Sequence, residues 1–63
     1  IMKRLASGDR QIPEIVAAIY EGLDPRLKSA AGLSVFAHLE DLVAKGLATS
    51  DGAPSLAGAF RPA

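Results

Sequence analysis

Ser34-Val35-Phe36-Ala37-His38-Leu39-Glu40-Asp41-Leu42-Val43-Ala44-Lys45-Gly46, followed at once by Leu47-Ala48-Thr49 and Ser50-Asp51-Gly52, decides how this 63-residue chain is read. Val35, Phe36, Leu39, Leu42 and Val43 recur at three- and four-residue spacing, so a helix over this stretch carries one apolar face. Ser34, His38, Asp41 and Lys45 share the opposite face, and Gly46 is the residue type that closes a helix in a left-handed conformation. Leu47 to Thr49 has the length of a short strand, and Ser50-Asp51-Gly52 supplies a turn. Ser55 to Phe60 is then expected to pair back, with Pro54 outside the ladder or on its edge. The alanines and glycine of that return segment have poor β-propensity, and Arg61-Pro62-Ala63 reads as a loose end.

Working back from this element, two earlier helices are expected. Pro13 suits the start of one, where its missing N–H would have been unpaired, and Glu14 beside it favours the positive end of the helix dipole. Ile15, Val16, Ile19, Tyr20 and Leu23 follow as an apolar stripe, with Gly22 loosening the end. Asp24-Pro25 repeats the cap-then-proline pattern, so the third helical segment opens there with Leu27 as its first inward residue. Gly32 lowers helix propensity by about 1 kcal/mol relative to alanine, which predicts a break between Lys28 and Leu33. At the front of the chain, Ile1, Met2 and Leu5 share a helical face that Gly8 ends, and Arg10 to Ile12 is long enough only for a bridging segment or brief strand.

Helix, short strand, helix, helix and hairpin is the order of a winged helix-turn-helix. The expected class is therefore mainly α with a small β-hairpin (α+β), three helices plus a two- or three-stranded wing, over one domain, 1–63. A chain of this length has room for one modest core. It begins at Ile1 with an amphipathic pattern under way, so it is read as a fragment of a longer chain.

Seven basic residues balance seven acidic ones, which removes the overall positive charge that drives nonspecific binding to phosphates. The absence of cysteine excludes disulfides, thiolate ligands and thiol nucleophiles. No apolar run approaches the roughly 20 residues that span a bilayer, so no membrane partner is expected and the location read from the sequence is cytoplasmic.

His38 is the one imidazole, and imidazole can act as acid, base or ligand near neutral pH. Its place opposite the apolar stripe, beside Ser34 and Asp41, reads as a solvated or interface histidine. A catalytic zinc needs about three protein ligands and an open position, which a single histidine does not assemble. The serines lack a base held by a third group, and Glu40 and Asp41 point about 100° apart on a helix. The last helix presents His38, Glu40, Asp41 and Lys45 where a DNA reader presents arginine, lysine, asparagine or glutamine, so duplex DNA is disfavoured. Arg26 and Lys28, with Lys3 and Arg4, remain available for RNA phosphates. Tyr20, Phe36 and Leu39 read as core.

Together Ile12-Pro13-Glu14-Ile15-Val16, Ile19-Tyr20, Leu23-Asp24-Pro25, Ala30-Ala31 and Ser34-Val35-Phe36-Ala37-His38-Leu39, with Leu42 and Gly46, carry a likeness. The chain resembles the winged-helix domain that follows the catalytic domain in one branch of metallo-β-lactamase-fold hydrolases, over about residues 1–48. Members carry a large aromatic on the second wing strand, a place only Phe60 fills here. The resemblance implies a non-catalytic C-terminal domain that packs on its own catalytic domain and shapes the substrate cleft. It implies two zinc ions in that catalytic domain and no cofactor in this chain, with RNA or a small ester or thioester met through the parent enzyme. Tyr20, Arg26, His38 and Lys45 are then the candidates for facing the neighbouring domain or substrate. Two alternatives use the same fold differently: a free-standing DNA-binding regulator, and a dimerisation module.

Overall fold

The first helix, α1 (Met2–Ala6), is only five residues long and is held by its C-terminal end. Gly8 turns the chain at φ +109°. Arg4 bridges the turn to Asp9 at 2.8 Å, while the Arg10 guanidinium donates to the carbonyls of Leu5 and Asp9 at 3.0 and 2.9 Å. Arginine thus covers carbonyl groups that so short a helix leaves without partners. All residues 1–63 are described by the structure, a computed structural model.

Next comes α2 (Ile12–Ile19), which starts one residue before Pro13. Glu14 does more than sit near the dipole: its Oε1 accepts from the backbone N–H of Gln11 at 2.9 Å and of Arg10 at 3.1 Å. That is the return half of a capping box, and it fixes where the helix begins. Ile12, Ile15 and Val16 are buried, as the stripe predicts. Ile19 and Tyr20 are not, at 42% and 39% exposure. The helix ends level with Lys28, beside which Tyr20 lies, and beyond that point only a loop is available to cover an apolar side chain.

The third segment opens as a 3₁₀ turn (Pro25–Leu27), with Asp24 Oδ1 accepting from the Arg26 N–H at 2.9 Å. Leu27 is exposed, contrary to its expected inward placement. From there α3 (Lys28–Ala44) runs unbroken through Gly32. The expected break is displaced to the 3₁₀ junction, because the helix on either side of Gly32 is held by packing against α2, which overrides a local propensity. Val35 and Leu39 are fully buried, with Phe36, Leu42 and Val43 packed around them. Gly46 ends the helix at φ +75°, and the N–H groups of Gly46 and Leu47 return to the carbonyls of Val43 and Leu42, at 3.1 and 2.9 Å. This is a Schellman closure, which satisfies the last carbonyls.

The wing is β1 (Ala48–Ser50) paired antiparallel with β2 (Phe60–Pro62), in the register Ala48 to Pro62, Thr49 to Arg61 and Ser50 to Phe60. The return strand therefore starts where Ser55 to Phe60 was expected to end, and Arg61 and Pro62 belong to it. Residues 57–59 offer nothing to bury, whereas Phe60 does. It is fully buried, its N–H donates to the Arg10 carbonyl at 2.7 Å, and a bridge from Gln11 to Ala59 ties the wing to the entry of α2. Leu5, Ile12, Ile15, Val16, Val35, Leu39, Ala48 and Phe60 form one core with no buried polar side chain. Every element contributes to it.

Candidate functional site

The four residues singled out from the sequence do not converge on one site. His38 stands exposed on the outward side of α3, as expected, beside a shallow hollow made with Ile1, Met2, Asp41 and Leu42. Lys45, the residue after α3, reaches back to Asp41 at 2.8 Å. Tyr20 lies at the other end of the molecule, where α2 stops, in a second hollow with Val16, Leu23 and Lys28. Arg26 is in the 3₁₀ turn, its guanidinium folded back on Asp24 at 2.9 Å.

These pairings limit what the charged groups offer. The hydrogen bond from the Arg26 side chain, and then that from its backbone N–H, holds the Asp24 carboxyl below its ordinary pKa. The same contact raises the Arg26 guanidinium. Arg4 is raised likewise, first by its hydrogen bond to Asp9 and then by that residue's charge. Arg61 lies 3.1 Å from Asp51. Of the cations proposed to meet phosphates, Arg4 and Arg26 are thus engaged with carboxylates, and Lys3 and Lys28 are not. Exposed pairs of this kind contribute little stability, but they do neutralise the surface locally.

No three His, Cys, Asp or Glu side chains gather anywhere in the chain. His38 has only Asp41 within its hollow, on the same helix, and that carboxylate is taken up by Lys45. The residues present do not fit a zinc centre. Between Lys28 and Lys45, α3 offers serine, alanine, leucine, His38, Glu40 and Asp41 to its exposed side, with no arginine, asparagine or glutamine.

One feature has no counterpart in the reading from sequence. A groove of about 310 Å³ runs between α2 and α3, walled by Pro13, Val16 and Ala17 on one side and Lys28 and Gly32 on the other, with Leu56 of the wing loop at its edge. It continues into the Tyr20 hollow through Val16, Ala17 and Lys28. The one signal available in the sequence is Leu56 itself, a large apolar residue in an otherwise small and polar stretch, residues 51–59.

No curated protein and no solved structure matches the chain. Residues 12–57 match the family described as beta-lactamase associated winged helix domain. That span contains α2, the 3₁₀ turn, α3, β1 and most of the wing loop, and the three helices and two-stranded wing laid out above are the architecture its description names. The chain belongs to the beta-lactamase associated winged helix domain family.

Proposed function

We propose that this winged-helix domain, residues 1–63, is the non-catalytic accessory part of a zinc-dependent metallo-β-lactamase-fold hydrolase, packing on the catalytic domain and forming one wall of its substrate cleft. The observation that carries this is an imbalance in the apolar surface. Against eight buried core residues, six large apolar side chains stay exposed: Ile19, Tyr20, Leu27, Leu33, Leu47 and Leu56. A contiguous apolar surface on a small domain marks a place where another protein surface sits. The family's association with a β-lactamase names the neighbour.

In this reading Tyr20 lies at the interface, and His38 with the small polar residues of α3 faces the cleft. Arg26 and Lys45 reach substrate only by leaving Asp24 and Asp41. Two zinc ions in the catalytic domain would supply the hydrolytic chemistry, and the residues of this chain contribute shape and polar contacts to RNA or to a small ester or thioester. A cytoplasmic setting accords with a core that holds without any disulfide. Use of α3 on duplex DNA is disfavoured by Glu40 and Asp41, which a phosphate-lined groove repels.

Two assays test the proposal. The isolated chain, titrated with zinc, is expected to show no ester or RNA hydrolysis. Removing it from the full polypeptide is expected to lower kcat/KM for large substrates more than for small ones. Turnover by the isolated chain, or an equal loss for both substrate sizes, would contradict it.

A further inference from the structure

Gly32 lies mid-helix on a wall of the α2–α3 groove, and the fold gives it no employment. Its backbone is ordinary helix, without the positive φ found at Gly8, Gly22, Gly46 and Gly52. A Cβ built there meets only Ile12 Cγ2, at 3.7 Å, which is plain van der Waals contact. Alanine would therefore fit the chain's own packing and favour the helix. What the missing side chain provides is a clear path to the α3 backbone for something outside the chain.

The groove beside it is chemically distinct from the rest of the surface. Leu56 and Tyr20 are exposed along it, and Ile19, Leu27 and Leu33 are chain neighbours of its lining residues. Lys28 stands where the groove meets the Tyr20 hollow and has no carboxylate partner, whereas the cations Arg4, Lys45 and Arg61 on other faces all do. An apolar cleft with one unpaired cation at its edge is complementary to an apolar side chain flanked by a carboxylate.

We propose that this groove is the face on which the β-lactamase-fold domain sits, its surface placing an apolar side chain over Gly32, against Val16 and Leu56, and a carboxylate at Lys28. The inference rests on the accessory-domain reading above and specifies which face that reading uses.

Side-chain oxidation footprinting of the isolated chain and of the full polypeptide tests it. Pro13 and Leu56 are expected to lose reactivity on joining, while His38 keeps its own. Gly32→Leu, which fills the groove, should leave the isolated chain folded with an unchanged or higher Tm and abolish the protection. Lys28→Glu should weaken binding of a separately produced β-lactamase-fold domain about tenfold, the loss expected when one close charge pair is reversed. Protection at Ser34 and His38 instead overturns the choice of face and leaves the accessory reading standing. No protection anywhere overturns both. Protection in the isolated chain that grows with its concentration assigns the groove to a second copy and overturns the inference, as does a lower Tm for isolated Gly32→Leu, which would make the glycine a requirement of the fold.

Discussion

The two ends of α3 are built differently. At its C-terminal end the chain closes everything it opens: Gly46 and Leu47 take up the last carbonyls, Lys45 pairs with Asp41, and β1 leads directly into a wing that delivers Phe60 to the core. At its N-terminal end Leu27 and Leu33 are exposed, Lys28 has no carboxylate, and a groove runs along α2. A chain with so small a core must spend its apolar residues where they hold the fold. The closed end is where this one does so, and the open end is the surface left for a neighbour.

The comparison breaks most visibly if the closed end is damaged. Phe60→Ala removes the largest fully buried side chain and should cost about 3–5 kcal/mol, enough to unfold most of a domain this small. Circular dichroism during urea titration would show it, and a loss below about 1 kcal/mol would mean that the wing is not part of the core. Glu14→Ala removes the acceptor shared by the Arg10 and Gln11 N–H groups, with an expected loss of about 1 kcal/mol in the same titration.

The smallest effect belongs to the open end. Asp24 has a lowered pKa in the folded chain, so its contribution is present above the ordinary carboxylate range and fades as the pH falls through the folded value. Because the pair is exposed, the change in overall stability should be slight. Carboxyl ¹³C titration of Asp24 should show the low value, and Arg26→Met should return it toward normal.

Much of the closed end was legible in the sequence because its signals are local. The alternation along Val35, Phe36, Leu39, Leu42 and Val43, the glycine after Lys45 and the outward placement of His38 each need only neighbouring residues to be read. Ile19, Tyr20 and Leu27 were misread for a definable reason. Periodicity tells which side of a helix is apolar, and whether anything lies there to cover it depends on where α2 ends relative to α3. The wing register is also nonlocal. It follows from Phe60 filling a space between α1, α2 and α3, across a loop whose alanines and glycine carry no strand signal. Of the candidate site, His38 and Lys45 lie on one surface as read. The groove needed coordinates, since its walls come from Pro13, Gly32 and Leu56, residues far apart in the chain.

The sharpest test sets one substitution at both ends of α3. Gly46 has φ +75°, where a Cβ is strained, and Gly32 has helical backbone with room beside it. In the isolated chain, equilibrium unfolding should show Gly46→Ala destabilising by about 1 kcal/mol and Gly32→Ala stabilising by up to about 1 kcal/mol. Two losses of equal size would contradict the account, because Gly32 would then serve the fold and not a partner.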